Sequence, residues 1–240
     1  MQQDLNGVLD NIFQHPNVPP FIATRLIRHF VTSNPTPAYI QRVADVFVDN
    51  GQGVRGDLWA VLKAILTDAE ATQPNSPEHG HLKDPVLHLL GLGRALDANL
   101  NDPGMFMYLF RYLGQQVLAP ATVFSFYSPL APLPGHSDLY GPEFQIYSPG
   151  LAIQRANLIY QLLSGQLGSS FSIDLAPFIA LAGSPAALVE QINQKLMYGR
   201  MSNELRQILV TATQAAPDAY NRALGALYLA AISSEYAVQH

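Results

Sequence analysis

Along most of the chain, apolar residues recur at helical spacing, and residues that start helices punctuate the recurrence. Behind Thr36-Pro37, the residues Tyr39, Val43, Val46 and Phe47 fall at i, i+4, i+7 and i+8, one face of a helix. Thr36 is placed to cap that helix and Pro37 to fill its first turn. After Asp57, the residues Leu58, Val61, Leu62, Ile65 and Leu66 repeat the pattern. Pro19 and Pro20 open an earlier run holding Phe21, Ile22, Leu26, Ile27 and Phe30. Asp84-Pro85 opens a later one with Val86, Leu89, Leu90 and Leu96. Further helices are expected over Gly104 to Leu118 and Leu151 to Ser164, from Ser184-Pro185 to a stop at Gly199, from Ser202, and from Pro217. No segment alternates polar and apolar residues between hairpin turns. The expectation is an all-α fold, an irregular multi-helix bundle forming a single helical domain over 1–240.

Two segments interrupt the pattern. Thr72 to Lys83 is a polar loop. Ser128 to Gly150 is one long proline-rich loop, with Pro129, Pro132, Pro134, Pro142 and Pro149, longer than a helix–helix connection needs.

Composition narrows the function classes. Apolar residues make up 48% of the 240, enough for a sizeable core, while charged residues reach only 13%. So little charge suggests surface that something covers. The net charge of −5 argues against a general nucleic-acid binder. With no cysteine there is no disulfide, thiol nucleophile or thiolate-bound metal. No uninterrupted apolar stretch is long enough to span a membrane, and Met1 to Phe13 lacks the basic start and apolar core of a secretory signal.

Candidate chemistry is sparse. Gly51, Gly53 and Gly56 between two apolar runs suggest a phosphate loop, but a helix precedes them and Asp57-Leu58 follows where Lys-Ser/Thr is required. A calcium loop fails because Gln52 and Val54 stand at ligand positions. The expected reading is a connector in which Asn50-Gly51 ends one helix and Asp57 caps the next, leaving Arg55 without a structural role. Arg25 and Arg28, at i and i+3 beside His29, are candidates to clamp a carboxylate or phosphate, or else to pair with Asp45 or Asp49. Glu78, His79, His81, Asp84 and His88 crowd one stretch, read as a solvated loop rather than a metal site. Gly135-His136-Ser137 lacks the glycine of a serine elbow, since Leu139 stands there. Across the proline-rich loop, Phe124, Phe126, Tyr127, Tyr140, Phe144 and Tyr147 surround Glu143. Tyr127, Tyr140 and Glu143 are the ligand-binding candidates there, with Glu143 expected to bond a backbone N–H or an arginine and Phe144 to pack inward. No cofactor or metal is expected.

The block from Phe13 to Ala71, "FQHPNVPPFIATRLIRHFVTSNPTPAYIQRVADVFVDNGQGVRGDLWAVLKAILTDAEA", closely resembles one in the bacterial family called domain of unknown function 1800. "KDPVLHLLGLGRAL", "PATVFSFYSP", "PEFQIYSP" and "SSEYAVQH" resemble further blocks in the same order. Two positions depart from the pattern: Thr72 where the family has Arg, and Ser234 where it has Pro. The family carries no established reaction. The resemblance implies an exported bacterial protein, a C-terminal half of a larger one, often encoded beside a second exported family related to sulfatases, which is the possible protein partner. Two functions are therefore expected to compete: a non-catalytic helical interaction domain, and a hydrolase-like, carbohydrate-directed enzyme using a carboxylate of the 128–150 loop.

Overall fold

The computed structural model describes residues 2–73, 79–123 and 125–239. It is predominantly helical, and its strands among the described residues are two residues long each. The chain divides into two compact units. One takes Met1–His81 together with Pro132–Gly141; the other takes Leu82–Ala131 and Pro142–Gln239.

The first unit holds α1 (Gln2–Gln14), α2 (Val18–Phe30), α3 (Pro37–Val48), α4 (Leu58–Thr67) and the single turn α5 (Ala69–Thr72). Its core lies among α2, α3 and α4, where Ala23, Ile27, Tyr39, Val43, Phe47, Val61 and Ile65 are buried. The caps are those the residue order anticipates. Thr36 accepts from the Tyr39 N–H, and Asp57 from those of Trp59 and Ala60. Tyr39 donates its buried hydroxyl to the Ile65 carbonyl at 2.6 Å, tying α3 to α4. Burial first, then the negative charge of Asp68, keeps that hydroxyl protonated far above the usual tyrosine range. The 132–141 segment doubles back, with Leu133 N–H donating to Leu139 C=O at 2.8 Å. Asn34, in the loop between α2 and α3, grips it through two bonds to the Tyr140 backbone, at 2.9 and 2.8 Å.

Helix α1 was not expected from the pattern, and among the helices longer than one turn it is unlike the others: none of its residues is buried. Its C-terminal end is held by two contacts. The Phe13 ring lies 6.0 Å from that of Phe47. It also occupies the space beside Gly56, whose φ of +78° and lack of a side chain leave room for it.

The second unit comprises α6 (Pro85–Ala95), α7 (Pro103–Tyr112), α8 (Pro149–Leu163), the short α9 (Ala176–Ile179), α10 (Pro185–Met197), α11 (Asn203–Ala215), α12 (Ala219–Ile232) and α13 (Ser234–Ala237). Helix α12 packs against α8, α9, α10 and α11. Its buried Ala223, Ala226, Ala230 and Ala231 let backbones approach, while Leu89, Phe110, Ile159, Leu162, Leu188 and Ile192 fill the core around them. Residues Asn99–Leu100 pair antiparallel with Phe171–Ser172. Two boundaries differ from expectation. Helix α7 stops at Tyr112, because Gly114 turns the chain with φ +78°. Helix α12 starts at Ala219, because Asp218, not Pro217, supplies the cap, accepting from Asn221 N–H at 2.8 Å.

Candidate functional site

Six residues stood out in the sequence, and they fall in two separate places. In the first unit, Arg25 and Arg28 share α2 but do not converge on a clamp. Arg25 is exposed, with its guanidinium 5.2 Å from the Phe21 ring centre, and Arg28 lies 4.1 Å over the ring of Tyr140. Asp45 and Asp49 have other partners: Asp45 accepts from Gln41, and Asp49 from the Gly51 and Gly53 N–H groups. Arg55 has a structural role after all. It donates to the Phe13 carbonyl at 3.0 and 3.2 Å and to that of His15 at 3.4 Å. A cation there satisfies carbonyls that a helix end leaves open and complements the dipole of α1.

The glycine-rich stretch is a connector. Asp49 Oδ1 takes two backbone N–H groups, Asn50 Oδ1 takes those of Gln52 and Val54, and Asn50 Nδ2 donates to Asp57 Oδ2 at 2.7 Å. The Asn50 bond, ahead of the backbone ones, holds the Asp57 carboxyl below its usual range. Asp49, Asn50 and Asp57 thus spend their oxygens on their own loop.

In the second unit, Tyr127 and Glu143 join a knot of ionisable groups that the sequence reading had not assembled. Asp84 is its hub. One oxygen caps α6, accepting from Leu87 N–H at 2.8 Å; the other accepts from Gln115 Nε2 at 2.7 Å and from the Tyr127 hydroxyl at 3.3 Å. Gln115 also accepts from Val86 N–H, so it locks the start of α6 twice. Glu143 sits on the short 3-10 turn Pro142–Ile146 and is 7% exposed. Burial first, then the charges on Asp84 and Glu143, pushes the Tyr127 hydroxyl well above the ordinary tyrosine range.

Cations complete the knot. Arg155, on α8 and buried, donates to the Lys83 carbonyl at 2.9 Å and lies 4.6 Å from the Tyr147 ring centre. Its Nε finds no hydrogen-bond partner among the described residues. Burial lowers its proton affinity, against the opposing pull of Tyr147 and Asp84. Lys83 donates to the Tyr236 carbonyl at 2.6 Å over that residue's ring; burial, then Arg200, brings its ammonium down to about 8. His88 stands edge-on to Tyr236, its Nε2 2.8 Å from the Ala231 carbonyl. Burial, then Arg155, drops it to about 3, so it is neutral at pH 7, and the Nε2 contact makes Nε2 the protonated nitrogen.

The cluster supplies carboxylates, a neutral imidazole, a low-affinity lysine and a held phenol, the raw material of acid–base chemistry. Yet Asp84, His88, Lys83 and Arg155 each bond to the backbone that they fix in place, as a structural knot does. Asp84 was legible as a cap. Gln115 and Arg155 carried no local signal, because their partners lie 29–31 and 72 residues away. Among the described residues, no three His, Asp or Glu side chains form a set that could hold a metal ion. Glu78 and Phe124 lie outside the described residues. No helix among the described residues is long and apolar enough to cross a membrane.

Fold and site together define a helical protein of two units, one with an open apolar surface and one with a buried polar knot. The chain belongs to the family described as Protein of unknown function (DUF1800), whose profile matches residues 1–238. Neither a curated protein nor a solved structure matches it.

Proposed function

We propose that the chain is a non-catalytic helical interaction domain of an exported bacterial protein, and that the first unit presents the binding surface. The observation that carries this reading is the outer face of α4. Leu58, Trp59 and Leu66 are 54, 77 and 55% exposed, with half-buried Leu62 between them, while Val61 and Ile65 fill the core behind. On a helix these four outer residues form one stripe, and a helix apolar on both sides is one that expects cover on both. The partner implied by the family resemblance is an exported protein encoded beside this one. The test is affinity capture from the native host with the wild-type chain and with Trp59→Glu. Loss of specific partners in the variant, at unchanged helical content, is the expected result. An identical set of captured proteins from both chains removes the reading.

A second reading, a hydrolase-like and carbohydrate-directed enzyme using Glu143, draws on one observation: the charges of Asp84 and Glu143 both act on the Tyr127 hydroxyl. It predicts that oligosaccharide hydrolysis by the wild type vanishes in Glu143→Gln without loss of thermal stability. Hydrolysis that survives this substitution, or that the wild type lacks across a broad panel of glycans, rejects it.

A further inference from the structure

The connector between α3 and α4 contains a reactive pair, Asn50-Gly51. An asparagine followed by glycine can cyclise. The Gly51 nitrogen loses its proton and attacks Asn50 Cγ. A C–N bond forms, the Cγ–Nδ2 bond breaks, and the Nδ2 group takes up a proton and leaves as ammonia. Water then opens the five-membered imide, leaving a carboxyl group at position 50, either as aspartate or as its isomer with the main chain running through the side-chain carbon. Water is the sole co-reactant. Nothing shields the attacking nitrogen: Gly51 is exposed, and a side chain there would meet open space.

The fold opposes each part of that step. Gly51 N–H donates to Asp49 Oδ1 at 2.8 Å, and the negative charge beside it disfavours a second one on the nitrogen. Asn50 Oδ1 accepts from the N–H groups of Gln52 at 2.9 Å and Val54 at 3.3 Å, and Nδ2 donates to Asp57 Oδ2 at 2.7 Å. Cyclisation brings Cγ to bonding distance of the nitrogen and expels Nδ2, so it must break the Asp57 bond and strain the other two. The Asn50 bond first, then the Ala60 N–H, holds the Asp57 carboxyl below its usual range, so it has no proton to hand to the departing nitrogen.

Once position 50 carries a carboxyl group, the same contacts turn against the connector. An oxygen stands where Nδ2 stood, facing Asp57 Oδ2, and two carboxylates in contact repel. Asp57 also caps α4, accepting from the N–H groups of Trp59 and Ala60. Repulsion at its other oxygen is thus passed to the start of α4.

We propose that Asn50 is a deamidation site that the folded connector keeps shut through Asp49 and Asp57, so that opening the connector marks the chain irreversibly at the foot of α4. The site is independent of what α4 binds.

Peptide mapping by mass spectrometry tests it on the full chain, aged in mildly alkaline buffer with and without urea. In urea Asn50 should convert fastest, equally in wild type and Asp57→Ser. Folded wild type should convert far more slowly. Asp57→Ser keeps an oxygen to cap α4 but removes the carboxylate that holds Nδ2. Folded, it should convert about 10-fold faster than wild type, the rate equivalent of one charge-assisted hydrogen bond, with circular dichroism unchanged. Asn6-Gly7, the same dipeptide in α1, is an internal reference whose rate should not respond. Asp49→Ala should also speed conversion at Asn50. Without ageing, Asn50→Asp should lower the unfolding midpoint, and Asp57→Asn in the same chain should restore it by reversing the acid–amide pair. Folded wild type converting as fast as in urea, or Asp57→Ser leaving the folded rate unchanged, overturns the proposal. A slower rate in Asp49→Ala would make that carboxylate the base of the reaction and overturns it too. An Asn50→Asp chain as stable as wild type refutes the effect on α4.

Discussion

The cores of the two units treat ionisable side chains differently. The first keeps its small core of α2, α3 and α4 almost free of charge and leaves large apolar residues in water, with Trp59 the extreme at 77% exposed. The second also leaves apolar residues in water, Leu118 and Val123 at 89 and 95% exposed, but around its large core it buries ionisable side chains, among them His88, Asp84, Glu143 and Arg155. Exposed apolar surface costs little to the fold and is satisfied from outside. Buried charge is costly unless partnered, so it must be satisfied from inside. The core of the first unit is held together by apolar contact, and that of the second also by the partners its buried polar groups find.

That contrast can be broken most directly at Asp84. Removing it strips the cap from α6 and leaves the amide of Gln115 and the hydroxyl of Tyr127 without their acceptor. Asp84→Ala should cost about 4 kcal/mol in urea unfolding. A loss under 1 kcal/mol would mean that the knot is solvated rather than structural.

Acid is the next lever. In the unfolded chain His88 titrates near 6.5, in the folded one near 3. Between those values the unfolded state binds a proton that the folded state refuses, so stability falls as pH drops through this window. From pH 6.5 to 4 the loss from this residue should be about 3 kcal/mol. His88→Gln should keep a donor for Ala231 and reduce proton uptake on unfolding at pH 5 by about one. Equal uptake by both proteins assigns the acid sensitivity elsewhere. Lys83 has the same sign in a different window, losing stability as pH falls from 10.5 to about 8.

In the first unit the corresponding polar test is smaller. Tyr39→Phe removes one buried bond, to the Ile65 carbonyl, and should cost about 1–2 kcal/mol by denaturant titration. A cost as large as that of Asp84→Ala would erase the difference between the units.

The smallest effect on stability is expected at the most exposed large apolar residue of the first unit. Trp59→Glu places an acid in the first turn of α4, where the helix dipole favours it. It should change the free energy of unfolding by no more than about 0.5 kcal/mol, while abolishing association. A strongly destabilised Trp59→Glu would show that its exposed ring supports the fold.

The helices were legible because their starts are written locally: Thr36, Asp57, Asp84 and Ser202 each accept backbone N–H groups of the next turn, as their spacing implies. Helix α1 carries its period in Leu5, Val8, Leu9 and Ile12, but no proline, serine or threonine marks its start. The glycine-rich stretch is legible as a connector, but the role of Arg55 is not, since its partners Phe13 and His15 precede it by 42 and 40 residues. The polar knot was hidden for the same reason. Its members are ordinary residues in ordinary helices until the fold brings α6, α8 and the 3-10 turn together. The proline-rich loop read as one excursion is two things. Residues 132–141 fold with the first unit, and Glu143 with the second.

That division has a consequence for synthesis. Asn34 must wait for Tyr140, 106 residues further on. At 5–20 residues per second the ribosome needs about 5–20 s to deliver it. During that interval Arg28 at the end of α2 and Asn34 in the loop after it have no hairpin to hold, and the first stretch of the second unit is already emerging. The first unit is therefore begun first and finished late, and any chaperone that protects the nascent chain should bind it in this interval, at the end of α2.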